Sequence, residues 1–230
     1  MPIFLDPPAN PRPVAGPPAS GPVLVFAPHP DDETIGAGGT LCLHHRRGDH
    51  IKAIFLTAGT AGDVEGRYSH EQYRDLREAE ARAAAKVLGI AEVEFWRFPD
   101  GARAREEDMD VVLPRVRQAI ADYSPGVIYY PNEQETHSDH FVTALAVHRA
   151  MRELKSPARL LAYEIWTVFK PDIVVDISDV FARKIEAARA YPSQLKFTDF
   201  VRAVEGLDAY RSIFLPKGSR YGEAFREGHC

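Results

Sequence analysis

Apolar residues gather in short closed runs along the chain. Val23–Ala27, Ile51–Thr57, Val93–Phe98 and Val127–Tyr130 are such runs. Runs of this length, with little polar alternation, predict strands buried on both faces, as in a parallel sheet. Stretches with helical spacing stand between or after them: Thr34–Arg47, Gln72–Leu88, Met109–Tyr123, and a helix that follows an Asn132–Thr136 loop and runs to about Leu154. The second puts Tyr73, Leu76, Glu80, Ala83 and Val87 on one stripe, and Gly48 and Gly89 read as helix stops. Pro114 fits a third helix that starts near Asp110, where no amide partner is lost. Ala58–Ser69 reads as a Gly-rich loop, Leu160–Trp166 and Ile173–Ile177 as two more strands. Val180–Tyr191 reads as a helix, with a further helical piece around Thr198–Glu205. Strand alternating with helix predicts an α/β fold: a mostly parallel sheet with helices on both faces.

Length and composition fit one domain. The 230 residues are 45% apolar and 27% charged, enough for a full core. Residues 1–22 hold eight prolines and predict an extended arm, which Ile3, Phe4 and Leu5 could anchor on this chain or on a neighbouring subunit. The domain proper is then 23–230. A net charge of -5 with no basic block argues against nucleic acid as a partner. No apolar run approaches the ~20 residues of a membrane span, and no secretory leader is evident. Cys42 and Cys230 are the only cysteines, which predicts free thiols and a cytoplasmic setting rather than a disulfide framework. Trp96 and Trp166 fall in strand patterns and are expected in the core.

The first strand runs directly into Pro28-His29-Pro30-Asp31-Asp32-Glu33. Open α/β sheets place their chemistry at the carboxyl ends of strands. Acids this close repel one another and pay desolvation unless a cation neutralises them. A second cluster, Thr136-His137-Ser138-Asp139-His140, follows the Val127–Tyr130 strand. Thr136 and Asp139 read as a capping pair that sets His137 and His140 on one face of a helix's first turn. His29, a carboxylate three residues on and a distant His would form a three-ligand metal set with an open position, as in catalytic zinc sites. The same donors also describe the facial triad of non-haem iron oxygenases. A purely structural metal site is a third reading, opposed by the extra groups Asp31 and His137.

At these residues the chain resembles the PIG-L/LmbE-like de-N-acetylases. The resemblance rests on Pro28-His29-Pro30-Asp31-Asp32-Glu33 with Gly36 and Gly38-Gly39, and on His137-Ser138-Asp139-His140. Arg77-Glu78-Ala79-Glu80, Pro99-Asp100-Gly101, Pro192-Ser193-Gln194-Leu195 and Tyr221-Gly222-Glu223-Ala224-Phe225 add to it. It implies a Rossmann-like α/β fold and a hydrolase that removes an N-acetyl group from an amino sugar of the N-acetylglucosamine type, or from its conjugate. His29, Asp32 and His140 would bind Zn2+, with Fe2+ or Co2+ as alternatives. Asp31 would be the general base as water attacks the amide carbonyl. A protonated His137 would stabilise the oxyanion or assist departure of the amine. Arg67 and Asp100 would meet sugar hydroxyls, and a homo-oligomer is implied. The alternative activity is a zinc amidase acting on a thiol conjugate or a larger N-acyl substrate. Arg77 and Glu80 are expected to form a structural ion pair. Glu135 stands where some relatives carry an aromatic or Gly, and a carboxylate there predicts either a polar or cationic substrate group or a solvent-facing side chain.

Overall fold

Strand β2 (Val23–Ala27), fully buried, lies inside an eight-stranded sheet of order β1-β7-β8-β6-β5-β2-β3-β4. The other strands are β1 (Arg12–Val14), β3 (Ile51–Thr57), β4 (Glu92–Phe98), β5 (Val127–Pro131), β6 (Arg159–Tyr163), β7 (Ile173–Asp176) and β8 (Gly222–Glu227). The structure is a computed structural model that describes residues 9–101 and 106–228. Ile3, Phe4, Leu5 and Cys230 lie outside the described residues. Only β8 runs antiparallel to its neighbours β6 and β7 among the described strands; the remaining pairs are parallel.

Seven α-helices cover the sheet among the described residues: α1 (Asp32–Arg47), α2 (His70–Leu88), α3 (Glu106–Tyr123), α4 (Ser138–Leu154), α5 (Phe181–Ala188), α6 (Pro192–Leu195) and α7 (Phe200–Arg211). Successive side chains of a strand point to opposite faces. Val23, Val25 and Ala27 accordingly pack with Leu41, Ala81, Leu88 and Ile185 of α1, α2 and α5. Leu24 and Phe26 pack with Val112, Val116, Val142 and Val147 of α3 and α4. Burial on both faces is why the strand reads as an unbroken apolar run. None of the described helices is long and apolar enough to cross a membrane.

The chain lays down β2, β3 and β4 outward in one direction, then returns to place β5 on the other flank of β2. The strand order reverses there, so the carboxyl ends of β2 and β5 flank the crevice where α/β sheets bind ligands. The His29 and His137 segments leave the sheet at this crevice.

Four differences from the sequence reading have physical causes. Residues 12–14 of the Pro-rich arm form the edge strand β1, where Pro13 needs no ladder partner on its open side. Arg159 donates to the Pro18 carbonyl and Arg47 to the carbonyls of Pro17 and Ala19, which holds the 17–19 segment on the domain. Strand β8 hides in a mixed sequence, Gly-Glu-Ala-Phe-Arg-Glu, because its Glu223 is buried by ion pairing rather than by apolarity. Helix α3 includes Glu106, so Pro114 sits inside it and forfeits one backbone bond. Strand β6 stops at Tyr163, which carries Trp166 out of the sheet and leaves it half exposed rather than in the core.

Gly36 is where α1 meets β6. A Cβ there would lie 2.2 Å from Tyr163 Cδ2 and 2.9 Å from the Glu164 carbonyl oxygen. The Tyr163 ring cannot easily yield, because its hydroxyl donates to the Phe26 carbonyl at 2.8 Å. Gly36→Ala is expected to cost about 3 kcal/mol through overpacking. Urea unfolding of the variant checks this; an unchanged midpoint would show that the contact relaxes freely.

Candidate metal centre and active site

The turn between β2 and α1 bends the backbone sharply. Asp31, the N-cap of α1, has φ 121°, a region L-residues rarely adopt. Its own amide donates to Glu33 Oε2 at 3.2 Å, and Glu33 is held by Thr34 Oγ1 at 2.6 Å and Tyr191 Oη at 2.7 Å. Glu33 is fully buried, and this burial pushes its pKa up to about 7. It is the prop of the turn.

The bend brings three donor atoms into a small triangle. His29 Nδ1 lies 3.1 Å from Asp32 Oδ2, and His140 Nε2 lies 3.4 Å from the same oxygen. The two ring nitrogens are 3.3 Å apart. A tetrahedral ion with ligand bonds of about 2.1 Å has donor separations of about 3.4 Å. Two imidazoles and a carboxylate at these spacings therefore fit one divalent ion. His137 also lies close enough to His29 and His140 to join a metal-holding group. The outer ring nitrogen of His29 is supported as a metal-binding histidine requires, and that of His140 faces a carboxylate just beyond hydrogen-bond reach. His29 Nε2 is 3.0 Å from Asp139 Oδ2, and His140 Nδ1 is 3.6 Å from Glu135 Oε2.

The electrostatics agree with the geometry. Burial opposes charge on His29, but the Asp139 and Asp32 carboxylates overcome it and raise its pKa to about 10. Asp32 likewise lifts His140 to about 9 against burial. Burial opposes ionisation of Asp32, yet His140 and His29 draw its pKa far below the usual carboxylate range. The cluster thus draws positive charge into a buried site, the condition for binding a cation and releasing protons.

Asp31 lines the same cavity. Burial pushes its pKa up to about 6, against the pull of Arg77, whose Nη2 is 3.0 Å from Asp31 Oδ2. Arg77 also donates to the Pro30 carbonyl and lies 3.5 Å from Glu80. Glu80 in turn accepts from the Ser193 amide at 2.8 Å and its hydroxyl at 2.7 Å. The expected Arg77–Glu80 pair exists, and it also steadies the Asp31 carboxylate.

His137 caps α4, its Nδ1 accepting the Asp139 amide at 3.3 Å. Its pKa is lowered, first by burial and then by the charges of His29 and His140. The Asp139 amide on Nδ1 leaves Nε2 as the nitrogen that carries the proton of a neutral His137 imidazole. The expected Thr136–Asp139 capping pair gives way to this arrangement, and the Asp139 carboxylate instead takes His29 Nε2 and the Gly101 amide at 2.9 Å. Glu135 neither faces solvent nor meets the cavity: it is buried and holds three backbone amides. Asp139 and Glu135 are the residues that motif reading missed as supports. The signal was present, since a carboxylate near each ligand His is what a metal site needs.

The two substrate candidates separate. Asp100 lines the cavity, but its oxygens accept from the Gly59 amide at 3.0 Å, Thr60 Oγ1 at 2.9 Å and the Ala61 amide at 2.8 Å. It anchors the 58–62 loop. Arg67 is mostly exposed, pairs with Glu65 at 2.5 Å, and lines a neighbouring groove with Tyr68 and Phe197 instead. The structure does not bring Arg67 to the cluster.

Fold and site together define an α/β enzyme with a candidate single-ion centre at its sheet crossover. The family model for GlcNAc-PI de-N-acetylase (PIG-L) matches residues 24–151. A Bacillus cereus protein described as a probable N-acetyl-alpha-D-glucosaminyl L-malate deacetylase is 30% identical over 75% of this chain and 83% of its own length. The diacetylchitobiose deacetylase of Thermococcus kodakarensis is 30% identical over 90% and 81%. The crystal structure of a conserved protein from Thermus thermophilus superposes with a TM-score of 0.75 at 29% identity, covering 90% of this chain and 94% of that one. The chain belongs to the PIG-L family of de-N-acetylases, hydrolases that act on amides.

Proposed function

We propose that the chain is a zinc-dependent de-N-acetylase of an N-acetylglucosamine-type amino sugar or its conjugate. The observation that carries this reading is the His29, Asp32 and His140 donor triangle, with Asp31 lining the same cavity. The amino sugars in the names of the B. cereus and T. kodakarensis relatives support the substrate class. A zinc ion held by the three donors would lower the pKa of water to about 7 and polarise the acetyl carbonyl.

The protein's own groups do the rest. Asp31 Oδ, buried and steadied by Arg77, accepts the proton of the attacking water. Neutral His137 donates its Nε2–H toward the developing oxyanion. It has no second proton to give, so Asp31 returns its proton to the departing amine. The amine leaves as a neutral product because an amide anion is far too basic to be expelled.

The test is acetate release from a panel of N-acetyl sugars by zinc-loaded protein, with a chelated control. Chelator-sensitive release from an amino sugar is expected. Release only from larger N-acyl amides would overturn the substrate class. His140→Ala is expected to lose bound zinc, measured by atomic absorption after dialysis; full occupancy would remove His140 from the ligand set.

A further inference from the structure

Trp166 stands at the mouth of the metal cavity with half of its surface exposed, 50%, whereas Trp96 is buried at 7%. An indole left in water contributes little to folding. Besides Trp166 the described lining is imidazoles, carboxylates, glycines, the Arg77 guanidinium and the small or amide side chains of Ala61, Ser138 and Gln194, which leaves Trp166 the single large apolar surface among it. Among the described residues its indole N–H has no hydrogen-bond partner.

Its position is nonetheless fixed. Glu135 Oε1 accepts the amides of Ile165 at 3.0 Å, Trp166 at 3.1 Å and Thr167 at 3.0 Å. The other oxygen of that carboxylate faces His140 Nδ1 at 3.6 Å. One buried acid therefore holds the backbone under the indole and stands beside a candidate metal ligand. A flat apolar face is held at a set distance from the reacting centre.

A pyranose chair offers a matching surface. Its axial C–H groups make one face apolar, while its hydroxyls point outward. The negative face of an aromatic ring attracts such polarised C–H groups. We propose that Trp166 is the stacking platform for the pyranose ring whose acetamido arm enters the metal cluster, an inference that rests on the amino-sugar reading. Trp166 thereby selects ring sugars over acyclic N-acetyl amines of similar polarity.

Steady-state kinetics on the best sugar of the panel test this with wild type, Trp166→Ala and Trp166→Phe, each checked for zinc content. Trp166→Ala is expected to raise KM about tenfold or more with kcat nearly unchanged, and Trp166→Phe to recover most of the loss. Acrylamide quenching gives a second readout, because the chain has 2 tryptophans and only one is exposed. Glucosamine should shield the wild-type emission. An unchanged KM in Trp166→Ala, or no shielding at sugar concentrations that saturate turnover, overturns the platform alone. Wild type that releases acetate from no sugar overturns the amino-sugar reading and the platform's ligand with it.

Discussion

Asp31→Asn is expected to keep its zinc and lose turnover by about a thousandfold, within the range for removing a general acid–base group. The substitution leaves the side chain nearly the same shape, so the His29, Asp32 and His140 donors should stay in place. What disappears is a basic oxygen. The Asn amide can still receive one hydrogen bond, but it cannot carry a proton from water to the amine. Arg77 would then face a neutral partner while still pairing with Glu80, so the fold should survive. Metal content and acetate release, measured on one preparation, separate the two effects. Normal turnover in a zinc-replete Asn variant would overturn the base assignment.

The pH profile gives the same group a second test. Burial raises the folded pKa of Asp31 to about 6, above the ordinary value of 3.8. A base must be ionised to work, so wild-type kcat/KM should fall as pH drops through that region. A bound cation favours the carboxylate and moves this acid limb below pH 6, never above it. A limb centred well above 6 would belong to another group.

Much of this site is legible in the sequence alone, and the reason is local. His29, Asp31 and Asp32 lie within one turn, and a buried apolar strand followed by clustered acids has few explanations other than a cation site. His140 is legible because β5 repeats the same strand-then-polar pattern. The supports are harder. Asp139 has the spacing of a capping residue, and only the fold shows that its carboxylate reaches His29, 110 positions away. Glu135 reads as meeting either substrate or solvent because nothing in sequence reveals three amides of the 165–167 turn converging on it. Trp166 reads as core because apolar residues continue past Tyr163, where the β6 ladder ends. Arg67 matches only by its place in a loop, and loop position does not say which way a long side chain turns.

Lys184→Met is expected to destabilise the fold by about 3–5 kcal/mol, the cost of removing one partner from a buried ion cluster. Lys184 is fully buried, with Nζ 2.8 Å from both Asp208 Oδ2 and Glu223 Oε1. One cation thus serves two acids. Glu223 is the better-held acid, because its two oxygens also accept the amides of Gly39 and Thr40 at 2.7 Å each. Among the described residues no backbone amide donates to Asp208, and burial pushes its pKa up to about 7 against the pull of Lys184. A carboxyl whose folded pKa is raised adds stability that is complete below its unfolded value of 3.8 and lost as pH climbs through about 7. Asp208→Asn should therefore flatten that part of the stability profile between about pH 5 and 8, which urea midpoints at the two ends would show. Lys184→Met should do the reverse: with the cation gone, the buried negative charge loses its counter-charge, so its deficit grows with pH. The consequence reaches the site through α1, whose Gly39 and Thr40 amides Glu223 holds and whose first residue is the candidate ligand Asp32. Zinc retention by Lys184→Met should fall at alkaline pH before the protein unfolds. Equal stability and zinc content across that range would show that the cluster is merely tolerated rather than the pin that sets α1 against β8.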